Sequence, residues 1–222
     1  LYNYRMKIYL VRHGKSDKSF QGKIPHNEFE LKRQLIEEEE EKAFQLGMSL
    51  KKQLGKVKGY DFVFSGKERS KQTVLAIASG FRLSKKEVFS NLREDFGLIY
   101  LTSEQYWHDC EQAVKDGTFP SHADFFLKNL PIDSQTFSAD YMRENMRAVL
   151  RRAIERNLFL GKEVSVMVSH EPVISLCLSD LTEKSVTELG GSSSELEYAE
   201  FTEISTQELY LNYRNKKYKV RI

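Results

Sequence analysis

Two histidines, His13 and His170, each follow a short β-rich run: Lys7-Ile8-Tyr9-Leu10-Val11 before Arg12-His13-Gly14, and Val164-Ser165-Val166-Met167-Val168 before Ser169-His170. Both runs read as buried strands, the first ending in a glycine turn, so both imidazoles emerge at strand carboxyl ends. A neutral imidazole attacks phosphorus without first losing a proton to a base, and a phosphohistidine splits one difficult displacement into two easier ones. Arg12 stands beside His13, and Arg69 follows a third run, Phe62-Val63-Phe64, after the turn Ser65-Gly66. A guanidinium grips two phosphoryl oxygens with parallel hydrogen bonds, and nearby positive charge disfavours imidazolium, which helps keep His13 neutral. Taken singly, a histidine at a strand end is more often structural and a helical arginine more often solvated.

Metal chemistry has less support. In His170-Glu171-Pro172-Val173-Ile174 an isoleucine stands where an HExxH zinc motif needs its second histidine. His108-Asp109-Cys110 has ligand types, but consecutive residues rarely face one ion. No metal site and no cofactor are expected.

The elements that must position these residues alternate. From Leu35 to Leu54, Leu35, Ala43, Leu46, Leu50 and Leu54 recur at helical spacing, with Glu37 to Glu41 early and Lys51 and Lys52 late, as the helix dipole favours. A second helix is predicted from about Glu68 to Ser79, and Glu87-Val88-Phe89 as a weaker third strand. The aromatic-rich stretch to about Ser138, with Tyr100, Tyr106, Trp107, Phe119, Phe125 and Phe126, reads as an inserted cap with one or two short helices. A helix follows from about Ala139 to Asn157, and Pro172 suits the first turn of a helix after His170. Tyr198 to Ile204, Glu208 to Asn212 and Lys217 to Ile222 look like strands, the last two a hairpin.

The expected fold is therefore α/β: a three-layer α/β/α sandwich with a mostly parallel central sheet, a cap insertion at about 98–138 and a C-terminal β-hairpin, in one domain over residues 1–222. Ligands in such sheets bind beyond the strands' carboxyl ends, where both histidines emerge. Residues Leu1 to Arg5 precede the strand-like run opened by Met6 and form none of the expected elements.

Composition bounds the partners. The 222 residues are 40% hydrophobic and 30% charged, and 34 basic against 32 acidic residues give a net charge of +2, too balanced to argue for nucleic acid or membrane. The alternation in Lys216 to Arg221 fits a charged edge strand better than a nucleic-acid contact. No run approaches the roughly 18 apolar residues of a membrane helix, and cytoplasm is the default compartment. Cys110 and Cys177, far apart and without CxxC spacing, suggest no disulfide framework.

Leu10-Val11-Arg12-His13-Gly14-Lys15-Ser16 resembles the signature that opens the histidine phosphatase superfamily, also called phosphoglycerate mutase-like. The resemblance continues in order through Phe20-Gln21-Gly22, Leu35 to Gly47, Phe64 to Val74, Leu92-Arg93-Glu94 and Val166 to Ile174. It implies that His13 is the nucleophile, that Arg12 and Arg69 bind the phosphoryl group, that His170 donates a hydrogen bond to it, and that Glu94 gives a proton to the leaving oxygen. Gly97 stands one residue closer to Glu94 than in many relatives, which leaves Asp95 as a substitute donor. The usual turn proline before Arg69 is missing, and between His13 and Asn27, where many relatives place an asparagine in contact with phosphate, there is none. Lys15 and Lys67 flank the expected pocket and would attract an anionic substrate.

The function so implied is a phosphatase that hydrolyses a small phosphorylated substrate through a phosphohistidine at His13, without a metal. A phosphoglycerate mutase-type phosphotransferase is the close rival, and a catalytically idle binding protein on the same fold the second. The expected partner is the small substrate, with a homo-oligomer possible.

Overall fold

The computed structural model describes residues 6–19, 21–120, 122–128, 136–190, 201–206 and 210–221. The chain runs β1 (Lys7–Arg12), α1 (His26–Lys32), α2 (Glu37–Leu54), β2 (Tyr60–Phe64), α3 (Glu68–Gly80), α4 (Lys85–Asn91) and β3 (Leu92–Glu94), then a 3-10 turn at Phe96–Leu98. It continues through α5 (Glu104–Lys115), α6 (His122–Lys128), α7 (Ala139–Leu160), β4 (Val164–Ser169), α8 (Glu171–Thr182), α9 (Val186–Gly190), β5 (Phe201–Ser205), β6 (Tyr210–Tyr213) and β7 (Lys216–Lys219).

One seven-stranded sheet has the order β3-β2-β4-β1-β5-β6-β7. The first four strands are mutually parallel and the last three antiparallel. Alternation along β1 produces the layers, because successive side chains point to opposite faces. Ile8 and Leu10 join Val63 and Met167 in a core with Met146 and Leu150 of α7 and Ile174 and Leu178 of α8. Tyr9 and Val11 face the other way, with Phe62 and Val166, toward Ala43 and Leu50 of α2 and Val74 and Ile77 of α3. Strands buried on both faces read as the continuous apolar runs seen in the sequence.

Helices α2 and α3 meet backbone to backbone. A Cβ on Gly47 would run into the Ile77 carbonyl, and one on Gly80 into that of Phe44. Interiors packed to crystal density have no room there for even one methyl group.

The expected hairpin is present as β6 and β7, turning on Arg214 and Asn215 with φ of 48° and 60°. Two positive φ values give the turn whose twist matches the strands it joins. The helix expected to about Asn157 extends to Leu160, where left-handed Gly161 caps it.

Glu87-Val88-Phe89 is not a strand but lies inside α4. Ser84 Oγ accepts from the Glu87 amide while the Glu87 carboxylate accepts from the Ser84 amide, a capping box that starts a helix and overrides the local β propensity. Leu92–Glu94 instead lies beside β2. Helix α1 has no counterpart in the sequence reading. Residues 1–5, and positions 198–200, 208–209 and 222 of the expected strands, lie outside the described residues. Among the described residues no helix is long and apolar enough to cross a membrane.

Candidate active site

Sheet register brings the two histidines together. Arg12 pairs with Ser169 at the end of the β1–β4 ladder, the His13 amide donates to the Ser169 carbonyl at 3.0 Å, and the Ser65 amide to the Val168 carbonyl at 3.2 Å. Three adjacent parallel strands thus present His13, His170 and Ser65 at one edge. The imidazole centroids lie 4.9 Å apart. Gly14 makes the turn possible, because a Cβ there would meet Leu35 Cδ1 at 2.7 Å and Glu39 Cβ at 2.8 Å.

The hydrogen bonds of His13 define its tautomer. Nδ1 lies 2.6 Å from the Gly14 carbonyl, which can only accept, so Nδ1 carries the proton. Arg69 Nε donates to Nε2 at 3.1 Å, which requires a bare nitrogen there. Burial, then the charges of Arg69, Arg12 and Arg33, hold this imidazole well below the ordinary histidine value, against the opposing Gly14 bond. His13 is therefore a neutral imidazole whose unprotonated Nε2 accepts from Arg69.

His170 takes the opposite tautomer. Ser70 Oγ spends its proton on the Lys67 carbonyl at 2.6 Å, so Ser65 Oγ, 2.7 Å away, donates to Ser70. Ser65 then accepts from His170 Nε2–H at 2.7 Å, leaving Nδ1 bare in the neutral ring and buried without a partner. Burial, then Lys67, Arg69, His13 and Arg33, keep this ring neutral too.

Behind His13 lies a charge cluster. Arg69, fully buried, directs Nη1 to the Glu30 carbonyl at 2.5 Å and Nη2 to Glu30 Oε2 at 2.9 Å. The same carboxylate accepts from Arg33 Nη2 at 3.2 Å and from buried Lys67 Nζ at 3.3 Å. Lys67 also sits 3.9 Å above the Tyr100 ring, a cation–π contact. Burial alone would raise the Glu30 carboxyl, but Lys67, Arg69 and Arg33 outweigh it and bring it from 4.5 down to about 2.

A cavity of about 100 Å³ opens in front of the histidines. Arg12, His13, Arg33 and His170 line it, and the amino end of α8 contributes Glu171 and Pro172. A helix amino terminus adds partial positive charge, so this end suits an anion. Tyr100, Trp107 and His122 form the aromatic wall, the last two stacked at 5.1 Å. Lys18 and Glu111, 3.9 Å apart, complete the lining. A larger hollow of about 190 Å³, bordered by Arg147, Leu150 and Leu181, contains neither histidine.

Of the residues singled out by sequence, Arg12, His13 and His170 meet in this cavity. Arg69 reaches His13 but forms no part of the wall. Glu94 ends β3, exposed, its Oε1 2.6 Å from where a Cβ on Gly66 would stand, and also lies outside the wall. Asp95 accepts from the Gly97 amide and pairs with Arg93 and Arg152. Among the described residues no group of three or more His, Cys, Asp or Glu side chains could hold a metal ion.

The profile of the histidine phosphatase superfamily (branch 1) matches residues 8–212. The chain belongs to the histidine phosphatase superfamily. Solved structures share its fold: phosphoglycerate mutase from Bacillus anthracis aligns over 98% of this chain and 92% of its own, with 18% identity and a TM-score of 0.57. A mycobacterial glucosyl-3-phosphoglycerate phosphatase, in a VO3 complex, aligns over 90% and 92% at 14% identity with a TM-score of 0.58. A putative alpha-ribazole-5'-P phosphatase from Escherichia coli aligns over 98% and 95% at 14% identity with a TM-score of 0.55. No curated protein matches the sequence. Beyond the superfamily motif, Glu30, Arg33, Glu111 and His122 are residues the sequence reading did not single out. The one local signal was Glu30 and Arg33 at a spacing that allows an ion pair within one helical turn.

Proposed function

We propose that the chain hydrolyses a small phosphomonoester through a phosphohistidine at His13. The observation that carries this reading is the tautomer of His13: Nδ1–H is held by the Gly14 carbonyl, Nε2 carries no proton and accepts from Arg69, and the residue lines a cavity with Arg12 and His170. Nε2 attacks phosphorus as the bond to the leaving oxygen breaks, and an acid gives that oxygen a proton. Water then attacks the phosphoryl group, the same acid's conjugate base removes its proton, and the P–N bond breaks to release orthophosphate and neutral His13. Arg12 and His170 bind the transferring group, whose charge spreads over its equatorial oxygens. Arg69 orients Nε2.

We assign the acid to Glu94 on its place after Leu92, next to the turn that carries Ser65. Catalytic hydrogen bonds commonly close only once substrate is in place. We also assign residues 98–138 as the cap that selects the leaving group, since Trp107, Glu111 and His122 of α5 and α6 wall the cavity. Hydrolysis is favoured over phosphoryl return to substrate by the carboxylates of Glu111 and Glu171, which disfavour the second phosphate a mutase must hold. A phosphatase releases orthophosphate where a mutase releases an isomer.

Rapid quenching with a labelled aryl phosphate tests the mechanism. The label is expected to be acid-labile and alkali-stable and to map to the peptide containing His13, and His13→Ala to abolish label and turnover. Near-normal turnover by His13→Ala, or label only at His170, sinks the mechanism. Chelator is expected to leave the rate unchanged, and a loss restored by a divalent cation would exclude a metal-free reaction.

A further inference from the structure

Tyr100 follows the 3-10 turn at Phe96–Leu98, where the chain is tied down on both sides. Ser169 Oγ, one residue before His170, donates to the Leu98 carbonyl at 2.6 Å, and the Phe137 amide donates to the Leu101 carbonyl at 2.9 Å. The ring between them is fixed by its neighbours. Lys67 Nζ lies 3.9 Å above its centroid, His170 meets it edge to face at 5.1 Å, and Trp107 and Phe126 stand at 5.7 and 6.3 Å. Tyr100 is only 5% exposed, yet it lines the cavity with Arg12, His13 and His170. Among the described residues its hydroxyl makes no hydrogen bond, and the oxygen is not closed off from the cavity. Leaving a buried hydroxyl unmatched costs free energy, and folded proteins rarely keep one without something to meet it.

We propose that the Tyr100 hydroxyl donates a hydrogen bond to a phosphoryl oxygen of the bound substrate, alongside His170 and the arginines of the site. The inference rests on the phosphoryl-transfer reading above and adds a neutral donor to it. Burial and the Glu30 carboxylate push the ionisation of this hydroxyl upward against Arg69, Arg33 and Arg12, so it keeps its proton. The same three arginines act on His13, and the ring touches His170, which puts Tyr100 at the phosphoryl end of the aromatic wall. Trp107 and His122 continue that wall away from it. Another cation here would add to the repulsion among Arg33, Lys67 and Arg69, which already share one carboxylate; a phenol adds a donor without adding charge. Because packing holds the ring, the donor is in place before charge develops on the oxygens.

Equilibrium binding of orthophosphate to the full chain tests this without requiring turnover. Tyr100→Phe removes one oxygen and keeps the ring, and a lost hydrogen bond to a charged acceptor predicts binding roughly 10- to 100-fold weaker than wild type. Tyr60→Phe removes an equally buried hydroxyl at the other end of β2, one that accepts from Lys51 at 2.7 Å, and is expected to match wild type. With turnover, kcat/KM for Tyr100→Phe is expected to fall by similar factors on aryl and alkyl phosphates, because the group held is common to both. Orthophosphate binding within twofold of wild type in folded Tyr100→Phe overturns the proposal, as does an equal loss in Tyr60→Phe. A loss confined to alkyl phosphates also overturns it, by placing the hydroxyl on the leaving oxygen. If Tyr100→Phe does not fold, 3-fluorotyrosine at position 100 replaces it: the more acidic hydroxyl is expected to bind orthophosphate more tightly, and unchanged or weaker binding refutes the contact. The two readings separate cleanly. Tight, Tyr100-dependent binding without phosphohistidine sinks the hydrolase reading alone, and label at His13 with undiminished binding in Tyr100→Phe sinks the Tyr100 contact alone.

Discussion

Glu30 is the anion on which the interior of the site depends, and Glu30→Gln measures that dependence. Its carboxylate faces Arg33, Lys67 and Arg69, the last two essentially inaccessible to solvent. Bringing a carboxyl from 4.5 down to about 2 corresponds to about 3 kcal/mol of folding stability at neutral pH. Breaking a buried charge network by removing one partner costs about 3–5 kcal/mol, and glutamine keeps one carbonyl acceptor, which places the expected loss at the low end. At this chain length the thermal midpoint should fall by roughly 6–12 °C.

The pH dependence is the sharper readout. A depressed carboxyl contributes stability that is full above its unfolded value and is lost as pH falls toward its folded value. The window therefore runs from about 4.5 down to about 2. The gap between wild type and Glu30→Gln, measured by denaturant unfolding, should be widest at pH 6–7 and smaller by roughly 2 kcal/mol at pH 3. Other carboxylates titrate in both proteins and cancel in the difference. A gap under about 0.5 kcal/mol at pH 7, the range of an ordinary surface change, would refute the reasoning, and so would a gap that stays constant down to pH 3.

Ser65→Ala should release His170 to place its proton on Nδ1. In wild type Nδ1 is bare, so donating to a phosphoryl oxygen requires His170 to gain a proton on binding, and orthophosphate inhibition should weaken as pH rises from 6 to 9. The mutant profile should be flatter, with kcat/KM reduced by roughly 2- to 10-fold, and superimposable pH profiles would defeat the tautomer assignment. Glu94→Gln should slow alkyl phosphates by roughly 10²–10⁴-fold yet spare aryl phosphates whose leaving group needs no proton. If Glu111→Gln shows that selective loss and Glu94→Gln does not, the acid comes from α5.

What the sequence disclosed depends on the range of the interactions concerned. The apolar runs before His13 and His170 are long enough to be strands and end where a turn residue or a helix-starting proline stands, so both imidazoles could be placed at the sheet edge. Glu87-Val88-Phe89 misled because the β-favouring Val88 and Phe89 weighed more than Ser84 and Glu87, whose spacing is a helix start. Helix α1 went unread because the short segment His26–Lys32 has no side-chain cap and buries only Phe29 and Glu30. With it went the cluster it carries, since Glu30 meets Lys67 and Arg69 some 37 and 39 residues along the chain and no local pattern announces such contacts. Glu94 could be found by its place after Leu92, but its separation from the cavity could not.

The charge cluster reconciles two demands that conflict. A nucleophilic imidazole must stay neutral at working pH, which cations and burial achieve; a phosphoryl group needs the same cations near its oxygens. Arg12, Arg33, Lys67 and Arg69 around two histidines meet both needs, but without an anion their mutual repulsion in a buried site would favour opening α1 away from the sheet. A phosphate dianion could supply that anion only during turnover. Glu30 supplies it permanently, and because its carboxylate grips Arg69 and Arg33 together, one side chain fixes both the cation that aims Nε2 and the cation that faces the cavity. A negative residue behind a phosphate site thus follows from the chemistry in front of it: the more the imidazoles are kept neutral by positive charge, the more the fold requires a carboxylate that substrate does not have to displace.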